Sequence, residues 1–196
     1  MGKLFPTFYD LAMMPLERTK FKKIRSELIP KAKGRVLEIG YGTGVNFPYY
    51  ENASSVDAIE PSREMMKRAS RNIAQSTIPI KTHLVGAEHL PFEDHYFDTV
   101  VATLVFCTIP DPVVALNEIK RVTRPNGKIL FFEHVRMDER FLGKTQDFLT
   151  PSWKKICDGC HLNRDTLDLI TSCGLTIDQL DSYYKGLFLT VECTNS

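Results

Sequence analysis

The segment with the clearest chemical character is a glycine-rich stretch, EIGYGTG at residues 38–44. Glycine has no Cβ and tolerates positive φ, so glycines at alternate positions let a ligand come close to the backbone. The third glycine of the dinucleotide fingerprint GxGxxG would fall on Val45, and the Gly-Lys-Ser/Thr of a phosphate-binding P-loop does not follow. The segment therefore predicts a ligand-binding turn that follows neither of these two patterns.

An acidic residue, Glu60, lies twenty positions after Gly40, at the end of the apolar run 55–60. In a βαβ unit that binds a nucleoside, an acid at this distance accepts hydrogen bonds from ribose hydroxyls. Taken alone, Glu60 fits a surface residue at a strand end equally well. Together with the glycine loop and the strands on either side, it predicts a nucleoside site at the carboxyl edge of a parallel sheet.

Both features need strands and helices in alternation, and the apolar pattern of the chain supplies them. Short apolar runs predict strands at residues 35–40, 55–60, 80–85, 97–105, 128–135, 175–180 and 187–193. Helices are predicted at 44–53, at 63–74 after a Ser62 cap, from Pro112 to before Pro125, at 144–157 and at 163–172. This order predicts an α/β, three-layer, Rossmann-like fold. Its seven-stranded sheet is mainly parallel, with the fourth run central and an antiparallel C-terminal edge strand.

The chain is predicted to be a single domain over residues 1–196, with a helical extension at 1–34 and the core at 35–196. Between residues 18 and 35 there are eight Lys or Arg residues and one acid. Apolar residues recur there at helical spacing, at Phe21, Ile24, Leu28 and Ile29. A basic amphipathic helix of this kind fits either weak contact with an anionic membrane surface or a solvated helix face.

Composition excludes several classes of protein. The net charge is +1, which gives no basis for predicting nucleic-acid binding. No run approaches the ~20 apolar residues of a membrane span. The five cysteines are odd in number and irregularly spaced, which favours free thiols in a reducing compartment over a disulfide framework. A cytoplasmic location is therefore predicted.

The glycine motif at 38–44 followed by Glu60 resembles the first motif and the next acidic position of class I S-adenosylmethionine (SAM)-dependent methyltransferases. The resemblance covers residues 35–135 and includes GAEHLPF at 86–92, which is similar to the loop that flanks adenine. Phe97-Asp98 and the turn RVTRPNG at 121–127 also match. It implies SAM as cofactor and S-adenosylhomocysteine as product. SAM carries no phosphate, which agrees with the missing P-loop lysine.

The resemblance also implies the cofactor contacts. Glu38 places negative charge near the ammonium group of the methionine tail, and Asn46 bonds to that tail. The full predicted cofactor set is Tyr9, Glu38, Gly40, Tyr41, Gly42, Gly44, Asn46, Glu60, Pro61, Ala87, Glu88 and Thr103. Phe5 and Tyr9 resemble an N-terminal lid over the cofactor, with core packing as the alternative.

The methyl acceptor is predicted to be a small molecule. The stretch TLVFCT at 103–108 is apolar where methyltransferases of nucleobase amino groups carry an Asn/Asp-Pro-Pro-aromatic motif. FEHV at 132–135, Trp153 and DGCHLNR at 158–164 resemble the methyltransferase-like thiol S-methyltransferases, which implies a thiol acceptor. YDLAM at 9–13 resembles quinone and phospholipid methyltransferases, which leaves a quinone precursor or phospholipid as an alternative. A SAM-binding protein without catalysis is the alternative from another class.

A thiol acceptor must become a thiolate, because that is its reactive form. His134, at the end of the fifth predicted strand, is the predicted proton acceptor, and Asp158 and Arg164 are predicted to orient it or the substrate. A structural histidine and a simple Asp-Gly turn are the alternatives. The motif Cys157-x-x-Cys160-His161 lacks a second ligand pair at zinc spacing, so no metal is predicted.

Overall fold

A computed structural model describes residues 20–157 and 159–196 of the chain. Its seven-stranded sheet has the order β3-β2-β1-β4-β5-β7-β6. The strands are β1 (Gly34–Ile39), β2 (Ala53–Ile59), β3 (Ile80–His83), β4 (Phe97–Thr103), β5 (Thr123–His134), β6 (Thr176–Tyr183) and β7 (Phe188–Thr194). The predicted Rossmann-like α/β class is confirmed, and β4 is the middle strand of the seven.

Helices cover both faces of the sheet. They are α1 (Lys22–Leu28), α2 (Arg63–Arg68), α3 (Ser70–Gln75), α4 (Pro112–Val122), α5 (Arg140–Ile156) and α6 (Thr166–Ser172), with short 3-10 helices at Ile29–Lys31 and Phe47–Tyr49. Asp111 caps α4, since its side chain accepts a hydrogen bond from the Val114 N–H. Ser62 caps α2 as predicted, accepting from the Met65 N–H at 3.4 Å.

The strand order reverses between β1 and β4, which are parallel neighbours paired through Ile39 and Ala102. In open α/β sheets, ligands bind at such a reversal, outside the carboxyl ends of the strands. Alternation along β1 sends Leu37 and Ile39 into one hydrophobic layer and Val36 into the other. Glu38 shares the face of Val36, which is the face that α1 covers.

The two C-terminal strands are antiparallel, as predicted, and their order in the sheet follows their burial. β7 pairs antiparallel with both β5 and β6, so it lies inside the sheet while β6 forms the edge. β7 is buried along most of its length, whereas β6 is mostly exposed. An exposed, charged strand is suited to an edge because it discourages pairing with other chains.

Three predicted helices differ from the structure. Residues 44–53 form only the 3-10 turn at Phe47–Tyr49, in which Pro48 stands near the start. The helix expected at 63–74 is interrupted at Ala69, whose N–H bonds both Met65 and Met66 carbonyls. The helix expected from residue 144 begins at Arg140 and continues through Pro151.

The basic helix is present as α1, and its apolar face lies in the core. Phe21, Ile24, Leu28 and Ile29 are all buried. Phe21 packs edge-on against the Phe132 ring, with centroids 5.2 Å apart. These apolar residues are therefore unavailable for contact with a membrane, whereas Lys22 and Lys23 lie on the exposed face of the helix. Weak membrane-surface contact through the basic face and a simple solvated face both stay predictions. In the chain outside residues 1–19 and 158, no helix combines the length and apolarity that crossing a bilayer requires.

Candidate functional site

The glycine loop follows β1 directly, and its three glycines have different roles. Gly40, Gly42 and Gly44 all have positive φ, at +62°, +54° and +75°. A Cβ on Gly40 would lie 2.2 Å from Val105, and one on Gly44 would lie 2.6 Å from Phe47. A Cβ on Gly42 would meet no atom of the described residues within 4 Å. Gly40 and Gly44 thus permit packing, while Gly42 borders space that a ligand can enter.

Glu60 is tied to this loop. Its carboxylate accepts a hydrogen bond from the Gly42 N–H at 3.1 Å and another from the Ser62 N–H at 2.9 Å. The side chain is only 7% exposed. Gly42 and Glu60, predicted separately from the sequence, therefore form one unit at the end of β1 and β2.

A buried polar network lies beneath the loop and contains Glu38, Asn46 and Thr103 from the predicted set. Glu38 is 2% exposed and accepts from Asn46 Nδ2 at 2.8 Å and from the Tyr50 hydroxyl at 2.9 Å. Asn46 Nδ2 also donates to Thr103 Oγ1 at 3.0 Å. Burial raises the pKa of Glu38 to about 7, although bonds from Asn46 and Tyr50 and the charge of Arg25 act in the opposite direction.

Arg25 belongs to this network and is absent from the sequence-based set. Its Nη1 donates to Asn46 Oδ1 at 2.6 Å and to Thr103 Oγ1 at 2.9 Å. The guanidinium also lies over the Phe132 ring, 5.6 Å from its centroid. The sequence contained one signal that Arg25 points inward. Arg25 directly follows Ile24 and precedes Leu28 by three residues, so it lies on the apolar face of α1.

The remaining predicted cofactor residues that the structure describes lie at the same edge of the sheet. β3 pairs with β2 through His83 and Ile59, so Ala87 and Glu88 follow a strand end next to Glu60. Glu88 accepts from the Asp111 N–H at 3.4 Å. Tyr41 contributes backbone to the loop while its side chain is buried against Phe47, and burial raises its pKa to about 12. Pro61 is exposed, and the predicted lid residues Phe5 and Tyr9 lie outside the described residues.

A second cluster, made of Cys107, His134 and Cys160, lies beyond the ends of β4 and β5. Its three donor atoms, the two Sγ atoms and an imidazole nitrogen, all lie within 4.8 Å of one another. The His134 Nε2 and Cys160 Sγ atoms are 3.5 Å apart. β4 and β5 are parallel neighbours, paired through Thr103 and Phe132, so the residues that follow these strands meet at one edge. We call these three residues the Cys-His-Cys cluster.

The cysteines of the cluster differ in acidity. The hydrogen bond from Cys107, followed by the bond and charge of His134, lowers the pKa of Cys160 to about 5 against the effect of burial. The pKa of Cys107 is raised well above its usual value, chiefly by its bond to Cys160 and by burial. Within the pair, the two pKa values are therefore shifted in opposite directions, which makes Cys160 the more acidic thiol.

Glu133 is buried beside the cluster, with 2% of its surface exposed. Its Oε1 accepts from the N–H groups of Val105 and Phe106, at 3.0 Å and 3.2 Å. Its Oε2 is buried and has no hydrogen-bond partner among residues 20–157 and 159–196. Burial raises the pKa of this carboxyl to about 7. No role was predicted for Glu133 from the sequence, although it directly precedes His134 in the FEHV segment.

Two other predictions can be compared with the geometry. Arg164 donates to the carbonyls of Phe106 and Ile109 and so fixes the loop after β4, instead of contacting His134. Asp158 lies outside the described residues, so its role stays a prediction. Only Cys160 of the motif Cys157-x-x-Cys160-His161 joins the cluster, and Cys107 comes from 53 positions earlier in the chain. Local spacing gives no signal for such a partner.

The loop that carries Cys107 contains a strained residue. Leu104 has φ +53°, in the left-handed region that a branched side chain rarely adopts. Its N–H donates to the Phe132 carbonyl at 2.7 Å, which holds this conformation. Backbone strain of this kind, about 1–3 kcal/mol, is typical of functional sites.

Comparison with known proteins identifies the family of this chain. Residues 37–131 match the methyltransferase domain family. The chain is 32% identical over 175 residues to the thiol S-methyltransferase TMT1B of Rattus norvegicus, covering 82% of this chain and 72% of the relative. It is 31% identical to the human thiol S-methyltransferase TMT1A, covering 83% and 68%. A phosphatidylethanolamine N-methyltransferase of Cereibacter sphaeroides is 36% identical over 108 residues, covering 54% and 53%.

Solved structures show the same fold. A SAM-dependent methyltransferase of Thermotoga maritima superposes with a TM-score of 0.71 at 20% identity, covering 98% of each chain. A Haloferax volcanii structure, of the Trm112 methyltransferase activator in complex with a methyltransferase, matches with a TM-score of 0.75 at 16% identity, covering 100% and 99%. With its glycine loop, its acid at the end of β2 and these relatives, the chain belongs to the SAM-dependent methyltransferases, the family that contains TMT1A and TMT1B.

Proposed function

We propose that this methyltransferase transfers the methyl group of SAM to a small thiol. The observation that carries the proposal is the position of the Cys-His-Cys cluster. Thr103, Phe132 and His134 follow the alternation that points toward α1, the face that also holds Glu38. An acceptor at the cluster would lie next to a cofactor on the glycine loop. The thiol S-methyltransferase relatives support the same acceptor class.

The residues at the loop fit SAM. Gly42 borders space that admits the cofactor, and we propose that Glu60, beside it, bonds the ribose hydroxyls. The methionine tail carries an ammonium group, and Glu38, with Asn46 and Thr103, offers the negative charge and polar atoms to hold it. Ala87 and Glu88 are proposed to flank adenine. When bound, SAM supplies a methyl group on a positively charged sulfonium.

The chain's own contribution to the reaction is mainly positional. Holding the acceptor sulfur in line with the methyl group removes an entropic barrier of up to about 7–11 kcal/mol. The loop of Leu104, Val105 and Phe106 between the two sites is apolar, and it keeps water from competing for the methyl group. His134 remains the residue proposed to take part in activating the thiol, with Asp158 proposed nearby. A cytoplasmic location also stays a prediction.

The test is methyl transfer from isotopically labelled SAM to a panel of small thiols, catechols and quinol precursors, with the product identified by mass. We expect label on thiols, and we expect His134→Ala to abolish it while S-adenosylhomocysteine still binds. Cys157→Ser is the matched control, because Cys157 neighbours the cluster in sequence without belonging to it, and it should retain activity. Transfer to catechols or quinols with no transfer to thiols would contradict the proposed acceptor.

A phospholipid acceptor is the second candidate, favoured by the phosphatidylethanolamine N-methyltransferase relative. That relative matches about half of this chain, whereas the thiol S-methyltransferases match more than four fifths. Label incorporated into phosphatidylethanolamine vesicles, and not into thiols, would establish this alternative. Binding of SAM without transfer to any acceptor would indicate a protein that has lost catalysis.

A further inference from the structure

The Cys-His-Cys cluster has the donor set of a catalytic zinc site. Catalytic zinc is held by three protein ligands, and its fourth position is left for water or substrate. One of the known ligand sets consists of two cysteine sulfurs and one histidine nitrogen. Cys107, His134 and Cys160 come from three different segments, and the fold brings their donor atoms within 4.8 Å of one another. We propose that these three residues bind a zinc ion whose fourth position receives the acceptor thiol.

The separation of the donor atoms in the structure fits this metal. With Zn–N of about 2.0–2.1 Å, Zn–S of about 2.3 Å and tetrahedral angles, a sulfur and a nitrogen ligand lie about 3.6 Å apart. Cys160 Sγ and His134 Nε2 are 3.5 Å apart. The same geometry requires about 3.8 Å between two sulfur ligands. All three donor atoms lie within 4.8 Å, so closing the site takes a shift of no more than about 1 Å.

The segments that carry the ligands are held together before any ion binds. The His161 N–H donates to the Cys107 carbonyl at 2.9 Å, which joins the loop of Cys160 to the loop of Cys107. Arg164 donates to the Ile109 carbonyl at 2.6 Å and strengthens this connection. Cys160 also donates its own N–H to the Cys157 carbonyl at 2.8 Å. A metal site needs such outer support, because it fixes the orientation of the ligands.

Glu133, the neighbour of His134 in sequence, is a buried carboxyl group whose surroundings favour positive charge nearby. One carboxyl oxygen holds the Val105 and Phe106 N–H groups on the loop that leads to Cys107. The other, Oε2, is buried and has no hydrogen-bond partner in the described part of the chain. Leaving a buried polar oxygen without a partner costs free energy. A divalent ion at the adjacent cluster would offset that cost through its charge.

The catalytic consequence rests on the proposed thiol acceptor. A thiol that coordinates zinc loses its proton, which passes to solvent, and becomes the reactive thiolate. The acceptor sulfur then forms a bond to the methyl carbon as the carbon–sulfonium bond breaks. The electron pair of that bond stays on the sulfur of S-adenosylhomocysteine, and the neutral thioether leaves the metal. Zinc keeps its charge throughout, so no oxidant or reductant is needed.

Metal binding is tested on the full-length chain without reference to activity. The protein is loaded with Zn²⁺ under reducing conditions, dialysed, and its zinc content is measured per chain. In a parallel sample, Co²⁺ replaces zinc, and the thiolate-to-cobalt charge-transfer absorption is recorded. We expect about one metal per chain and the charge-transfer band. Cys107→Ser, Cys160→Ser and His134→Ala should each weaken metal affinity by at least about tenfold, whereas Cys157→Ser should leave it unchanged.

Several outcomes would overturn the inference. One is a zinc content near zero after loading, and another is the absence of the charge-transfer band in the wild-type chain. A third is a loss of metal in Cys157→Ser as large as that in the three ligand variants. A Cys107–Cys160 disulfide as the stable form under the same reducing conditions would also overturn it. Because cobalt absorption is measured on the wild type, a variant that fails to fold does not decide the result. Circular dichroism of each variant checks that it is folded.

The proposed function and the zinc site can fail separately. Thiol methylation at full rate by protein shown to be free of zinc would overturn the metal and leave the thiol acceptor standing. If the protein binds one zinc per chain but methylates only phosphatidylethanolamine, the metal site stands. The proposed role of the zinc in activating thiols is then overturned.

Discussion

The guanidinium of Arg25 and the side-chain oxygen of Asn46 are joined by a buried hydrogen bond of 2.6 Å. Arg25 is on α1 and Asn46 follows the glycine loop, so the bond connects this helix to the floor of the proposed cofactor site. The same guanidinium donates to Thr103 at the end of β4. We therefore expect substitution of Arg25 on α1 to affect ligand binding as well as stability.

Arg25→Ala should lower both the free energy of unfolding and the affinity for S-adenosylhomocysteine. The substitution leaves the buried Asn46 oxygen without this donor, a loss of about 1–3 kcal/mol. Urea unfolding and titration calorimetry measure the two effects. Lys23→Ala, on the exposed face of the same helix, is the matched control and should change neither. Equal effects from the two substitutions would contradict a role for Arg25 in the site.

Glu60→Ala should weaken S-adenosylhomocysteine binding at least about tenfold, equivalent to about 1.4 kcal/mol. The carboxylate holds the Gly42 N–H and is proposed to hold the ribose, and alanine can do neither. Calorimetric titration gives the dissociation constant. Glu64→Ala, at an exposed position on α2, should bind like the wild type. Unchanged affinity in the Glu60 variant would remove the ribose assignment.

Gly40→Ala and Gly42→Ala should fail in different ways. Both residues have positive φ, which costs an L-residue about 1–2 kcal/mol. Alanine at position 40 would also bring its Cβ to 2.2 Å from Val105, so this variant should show the larger fall in melting temperature. Alanine at position 42 has space in the described structure but would enter the proposed ligand volume, so it should chiefly lose affinity. Thermal unfolding and calorimetry separate the two, and identical behaviour would refute this division of roles.

Glu38 should make the stability of the chain depend on pH. Its pKa of about 7 in the folded protein lies above the unfolded value of 4.5, so the folded state binds the proton more tightly. Its contribution to stability is therefore fully present below about pH 4.5 and is lost as the pH rises through about 7. Urea unfolding across this range should show a smaller decline for Glu38→Gln than for the wild type.

Glu51→Gln, at an exposed position, is the control for the unfolding measurements. Its stability should depend on pH in the same way as that of the wild type. Ionised Glu38 also attracts the ammonium group of the cofactor, so affinity for S-adenosylhomocysteine should rise as the pH increases through about 7. Parallel pH profiles for Glu38→Gln and the wild type would show that another group is responsible.

Much of the fold could be predicted from local pattern. Apolar runs of six to nine residues, separated by helical segments and turns, indicated all seven strands near their observed positions. The glycine loop and Glu60 were identified because their spacing reflects one strand, one turn and one crossover of nearly fixed length. The helix expected at 44–53 was wrong, since helical propensity there gave way to the 3-10 turn at Phe47–Tyr49.

Other features depended on contacts between distant parts of the chain. The sequence by itself determined the strand–turn–helix order, the cofactor loop and the acid beyond it, because each is a local pattern of residue types. Only the tertiary structure turned Arg25 inward toward Asn46 and placed β7 between β5 and β6. The tertiary structure also brought Cys107 close to His134 and Cys160. Such partners are chosen by sheet order and helix packing, which bring together residues with no regular separation along the chain.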